Sequence, residues 1–143
     1  MDEDRRRHLD YIQAVITRMN TNSFQIKNMT IIILTAMFAL FAATPKVLLL
    51  ILAGFPVFLF WLLDAYYLQQ ERKFRKMYYD VANLTKHHKI KPYEMPLDKY
   101  KGNDCSYGKS FSSKTIILFY LSLLLVIMII TIVFLLICEI PIV

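Results

Sequence analysis

The stretch "FWLLDAYYLQQERKFRKMYYD", residues 60–80, begins as membrane sequence and ends as a basic, tyrosine-rich surface. It holds no Gly, no Pro and no cluster of turn residues, so nothing in it stops a helix. Leu63, Tyr67, Phe74, Met77, Tyr78 and Val81 fall on one stripe at helical spacing, interrupted by Gln70. Gln69, Arg72, Lys73 and Lys76 lie off that stripe. Glu71 and Arg75 stand in the favourable acid-first i,i+4 order. The pattern predicts one helix over residues 47–84 that leaves the bilayer as an arm and is ended by "TKHHKIKP" at residues 85–92. Trp61, Tyr66 and Tyr67 sit where an interfacial aromatic belt belongs.

Working outward from the arm, the charges vanish in long blocks. Residues 28–45, 47–63 and 115–138 contain no Asp, Glu, Lys or Arg. A bilayer core takes about 20 apolar residues per helix, with a range of roughly 17–25, and each of the three runs falls within it. A chain of 143 residues that is 57% hydrophobic cannot bury three such helices in a water-soluble core. The expected fold is an all-α membrane protein with three transmembrane helices. An N-terminal amphipathic helix over 1–20 precedes spans over 23–43, 47–84 (with the arm) and 113–138. A basic loop fills 85–112, and a tail follows over 139–143. The segment that precedes the first apolar run is charged and lacks an apolar leader, so that run reads as a true span.

Charge predicts the orientation. Residues 69–114 hold 11 Lys/Arg against 5 Asp/Glu, whereas the turn "TPK" has one Lys and the tail "EIPIV" has no Lys or Arg. The positive-inside rule then places the N-terminus and the 69–114 segment in the cytoplasm and the C-terminus outside. The expected location is a bacterial inner membrane, crossed several times.

The spans read as packing elements. No span centre carries an ionisable residue, which disfavours a transporter or channel subunit. Thr35, Ala39 and Ala43 repeat at i, i+4, i+8, a spacing that lets helices approach closely, though such residues are common in membrane helices. Pro56 removes a backbone donor and makes a bend plausible. Ser122 and Thr131 are expected to bond back to their own helix.

At the N-terminus, "RRRHLDYIQAVITRMN" (residues 5–20) carries an apolar stripe of Leu9, Ile12, Ile16 and Met19. This predicts an amphipathic helix ending at the turn-like "NTNS", with Asn22 or Ser23 capping the first span. The acidic Asp2, Glu3, Asp4 and Asp10 nearly cancel the local basic charge. Packing on the arm is therefore preferred to lying on an anionic membrane surface.

Asp64 stands at the membrane boundary, where a carboxylate is costly unless paired or wet. It is either an exposed interfacial group or the partner of a Lys or Arg on a neighbouring helix or subunit. Arg18, Lys27, Glu71, Arg72 and Arg75 lie within a few turns of the same plane, so a charged ring could close there, within one chain or between subunits. The alternative is a set of solvated charges that fix helix depth.

The segment "KPYEMPLDKYKGNDCSYGKSF" (residues 91–111) interleaves Tyr with Lys among Pro92, Pro96, Gly102 and Gly108. It reads as a solvated tether at an anionic leaflet, or as a basic aromatic pocket for a phosphorylated ligand or nucleic acid. Such a pocket would draw on Lys91, Tyr93, Lys99, Tyr100, Lys101, Tyr107 and Lys109. No Walker loop or RNA-binding signature accompanies it, and no reading of double-stranded DNA is expected. Adjacent His87 and His88 do not converge on a metal with Asp104 and Cys105. Cys105 and Cys138 fall on opposite sides of the membrane. No nucleophile, base and orienting acid occur together, so neither an enzyme, a cofactor nor a metal site is expected.

Three stretches together, "RMNTNSFQIKNMT", "FWLLDAYYLQQERKFRKMYYDV" and "SFSSKTIILFY", resemble a widespread family of small, largely uncharacterised bacterial multi-pass membrane proteins. The family's first motif falls on Arg18, Met19, Asn22, Ser23, Phe24 and Lys27. Its second falls on Asp64, Ala65, Tyr66, Tyr67, Leu68, Glu71, Arg72, Phe74 and Arg75. Its third falls on Phe111, Ser112 and Thr115, with Ser113 and Lys114 intervening where the family pattern has a single position. Similar small multi-pass proteins act as membrane effectors in anti-phage systems. By analogy the resemblance implies an oligomeric, membrane-disrupting effector triggered by a cytoplasmic protein partner or nucleotide signal. The membrane-boundary residues Arg18, Lys27, Asp64, Tyr67, Glu71, Arg72, Phe74 and Arg75 would serve its assembly. The alternative is a non-toxic anchor that recruits a soluble partner.

Overall fold

A computed structural model describes residues 3–85 and 88–139, with the backbone alone described at 138 and 139. Helix α1 spans Glu3–Ala43 and helix α2 spans Val47–Val81. After α2 come two single 3-10 turns, Leu97–Lys99 and Asn103–Cys105. A short α3 (Tyr107–Phe111) then leads into α4 (Lys114–Glu139). Among the described residues there is no strand. Three helices, α1, α2 and α4, are long and apolar enough to cross a membrane.

The predicted break between an N-terminal helix and the first span is absent, because α1 continues through "NTNS" without interruption. Polar residues there cost a few tenths of a kcal/mol each in helix propensity, but neither Gly nor Pro is present to stop the helix. The threonines bond back into the helix instead of ending it: Thr17 Oγ1 donates to Gln13 O at 3.0 Å and Thr21 Oγ1 to Thr17 O at 3.0 Å. Asn22 and Ser23 therefore cap nothing, and the expected segments 1–20 and 23–43 form one rod.

Pro45 closes the end of α1, and the connection to α2 is so short that the two helices must run antiparallel. Their contact continues past the apolar runs into a head. There the stripe of α1 (Leu9, Ile12, Ile16) packs on the stripe of α2 (Phe74, Met77, Val81), with Tyr78 against it. This is the packing preferred from the sequence, although Met19 is only half-buried. Tyr100 completes the cluster from the following segment.

The arm ends slightly earlier than expected, at Val81 rather than about Leu84. Asn83 adopts φ 58°, the left-handed conformation that ends many helices. Leu84 N–H then donates to Tyr79 O at 2.9 Å and Asn83 N–H to Asp80 O at 3.1 Å, which satisfies the last carbonyls.

The spans share a second core of Leu34, Ala53, Val57, Ile116, Tyr120 and Ile127. Most other apolar side chains there face outward, as in Leu118 at 75% and Phe55 at 69% exposure. A bilayer, unlike water, tolerates such a surface. Thr35, Ala39 and Ala43 also face outward, so their spacing is not used within the chain. Thr131 Oγ1 and Ser122 Oγ bond to Ile127 O and Phe119 O, each at 2.8 Å, as hydroxyls in an apolar helix are expected to.

Candidate functional site

Two features converge where the spans meet the head: a buried polar junction and a cationic surface above it. The junction centres on Asp64, which is fully buried. Its Oδ2 accepts from Lys27 Nζ at 2.5 Å and its Oδ1 from Ser23 Oγ at 2.5 Å. Lys27 Nζ also donates to Ser23 Oγ at 2.7 Å, so three side chains close a triangle. Of the alternatives for Asp64, a partner on a neighbouring helix is the one observed, and it lies within the same chain.

The chain's own geometry explains the meeting. Lys27 precedes Pro45 by as many positions as Asp64 follows Lys46. In an antiparallel hairpin with equal arms the two side chains stand at the same height, about 27 Å from the turn. Ser23, one helical turn before Lys27, shares its face of α1. The fully buried Tyr120 brings α4 to the same place. Its hydroxyl has no hydrogen-bond partner by geometry among the described residues. Thr30, also buried, donates its hydroxyl to Ile26 O at 2.8 Å.

Within the chain the remaining boundary charges do not close a ring. Glu71 and Arg75 pair along one helix face at 2.6 Å. Arg72 reaches toward the later segment, with Asp104 O and Ser110 Oγ each 3.4 Å away. Arg18 is exposed on α1. From Asp64 to Arg75 the helix climbs about 16 Å, too far for one coplanar ring. Phe74 belongs to the head core, and Tyr67, half-buried, meets Tyr66 edge-on at 5.8 Å.

The segment over 88–113 is no solvated tether. Tyr107 Oη donates to Leu62 O at 3.0 Å, Gln69 Nε2 to Cys105 O at 2.9 Å, and Trp61 Nε1 to Phe111 O at 3.3 Å. The Trp61 ring stacks on Phe111 with centroids 4.6 Å apart. The segment is thus folded back along the arm, with Cys105 buried beneath it.

The residues expected to share one ligand pocket are dispersed. Tyr100 is buried in the head, its hydroxyl 2.8 Å from Asp80 Oδ2, and burial together with that carboxylate holds its phenol above the usual range. Tyr93 Oη meets Asp4 Oδ1 at 3.2 Å, and Lys91 N–H meets Glu94 Oε2 at 3.2 Å. Lys99 and Lys101 are exposed, while Lys109 pairs with Asp104 at 2.7 Å. That pair, with Lys76 adding to it, holds the Asp104 carboxyl below the usual range. Alternation of Lys and Tyr along a chain does not determine which side chains face one another.

A different cavity, of about 720 Å³, opens at the tip of the arm, lined among others by Arg5, His8, Asp80, Thr85, His88 and Lys89. Arg5 Nε donates to Val81 O at 2.6 Å, a cation at the negative end of α2. His8 is buried and its Nε2 has no partner among the described residues. Burial lowers its pKa, opposed by a bond to the Glu94 backbone. Neither Arg5 nor His8 stands out in the sequence. No group of three His, Cys, Asp or Glu side chains among the described residues could hold a metal. His87 and the residues 140–143 of the expected tail lie outside the described residues.

No protein-family model, curated protein or solved structure matches the chain.

Proposed function

We propose that this chain is the membrane-embedded effector of a bacterial defence system, acting as an oligomer in the inner membrane with its head in the cytoplasm. In this proposal a cytoplasmic partner or nucleotide signal engages the head and the spans respond by breaching the bilayer. One observation carries the proposal: α1 and α2 each run without a break from the head core into the apolar spans. A helix is stiff over such lengths, so a displacement of the head must move the spans with it. The buried Lys27–Asp64–Ser23 triangle sits at the pivot of that lever. Regulated expression with a potential-sensitive dye tests it. The triggered protein should collapse membrane potential, and Asp64→Asn should suppress the collapse at equal abundance. An unaltered potential in triggered cells refutes the effector proposal.

A second reading, a non-toxic anchor for a soluble partner, is favoured by an exposed aromatic face on the head. There Tyr11 is 56% and Tyr93 47% exposed, edge-on with centroids 6.0 Å apart. Intact potential, together with a stoichiometric partner that is lost on Tyr11→Ala, would establish the anchor instead.

A further inference from the structure

We infer that the groove between α2 and the 103–109 segment seats the phosphate of an anionic phospholipid headgroup, on the side of the bilayer that bears the head. The groove encloses about 320 Å³ and is lined by Arg72, Arg75, Lys76, Asp104 and Lys109. Four cations therefore line the groove with one carboxylate, a second carboxylate, Glu71, pairs with Arg75 from outside the lining, and most of the cations' hydrogen-bonding capacity is uncommitted. Lys109 and Lys76 share Asp104, at 2.7 Å and 3.4 Å. Arg75 commits its Nε to Glu71, leaving the fork of its guanidinium. Arg72 meets protein oxygens only at 3.4 Å, near the outer limit of a hydrogen bond. A tetrahedral anion with several acceptor oxygens matches this cluster, and guanidinium groups bind phosphate in bidentate fashion.

Depth selects the lipid. Counted from Val47, a hydrocarbon core of ~30 Å is crossed near Tyr66, which places Arg72 about 9 Å beyond it. The headgroup layer is about 5–8 Å thick on each side. Side chains on a helix lean toward its N-terminus, and the N-terminus of α2 is at the far face of the bilayer. Arg72, Arg75 and Lys76 therefore lean back toward the headgroups, as snorkelling cations do. Lys109 is held at the level of Lys76 by the carboxylate the two share, Asp104.

The test uses the full-length protein in neutral detergent, titrated with phosphatidylglycerol or phosphatidylcholine and read by native mass spectrometry. Phosphatidylglycerol should bind at least about tenfold more tightly than phosphatidylcholine. Arg72→Gln/Lys109→Gln should erase that preference, whereas Lys99→Gln/Lys101→Gln, which removes two cations outside the groove, should retain it. Asp104→Asn should tighten phosphatidylglycerol binding, an effect that loss of fold cannot mimic. The inference is overturned by no preference between the lipids, by equal losses in the two double variants, or by weaker binding on Asp104→Asn. Displacement of phosphatidylglycerol by millimolar inorganic phosphate at equal affinity would assign the groove to a soluble anion and overturn the lipid.

Discussion

Breaking the junction from its two sides should give unequal losses. Asp64 is fully buried, so Lys27→Met leaves a carboxylate with Ser23 as its remaining hydrogen-bond donor and no countercharge. An uncompensated buried charge costs about 3–5 kcal/mol. Asp64→Asn leaves Lys27 instead, and its side chain is 25% exposed. Its flexible stem can carry the ammonium to water, and Ser23 can still bond to the new amide. The loss should then be about 1–2 kcal/mol, the scale of a hydrogen bond to a charged group. The double variant Lys27→Met/Asp64→Asn removes both charges and should lie closer to the wild type than Lys27→Met alone. Reversible unfolding in mixed detergent, followed by helicity, measures all three, and the double-mutant cycle gives the coupling. The reasoning is refuted if Asp64→Asn costs as much as Lys27→Met, or if the two losses simply add.

The head offers three further tests in the same unfolding assay. Asn83→Gly should be neutral or mildly stabilising, whereas Asn83→Ala should cost about 1 kcal/mol, because Asn83 holds φ 58°. Tyr100→Phe removes a buried hydrogen bond of 2.8 Å to the Asp80 carboxylate and should cost about 1.5–3 kcal/mol. The pKa of His8 is lowered from 6.5 by burial, so its contribution to stability is fully present above pH 6.5. As pH falls below that value the unfolded chain takes up a proton that the folded head resists, and stability drops; His8→Asn should flatten this part of the profile.

Much of the fold is legible in the sequence because it follows from local rules. Uncharged runs of span length imply membrane helices wherever they occur. The stripe from Phe74 to Val81 implies an arm that seeks an apolar partner, and the stripe of Leu9, Ile12 and Ile16 is the matching surface. The break expected at "NTNS" does not form because polar propensities are weak, and packing against α2 outweighs them. The early stop at Asn83 is not evident from the residues, because Asn favours a left-handed cap without requiring it.

The sequence alone determined what must be buried, what must meet lipid, and roughly where charge accumulates. These depend on composition and on the fixed periods of a helix. Even the pairing of Lys27 with Asp64 was implicit in their equal distances from the "TPK" turn. What only the tertiary structure decided is which partners the loop residues take. Tyr100 goes to Asp80, Tyr107 to the Leu62 carbonyl, and Lys109 to a groove shared with Arg72 and Lys76. Such contacts join positions far apart in the chain through a segment without helical period, so no spacing rule encodes them. They exist because the rigid α1–α2 pair offers a surface on which that segment can settle.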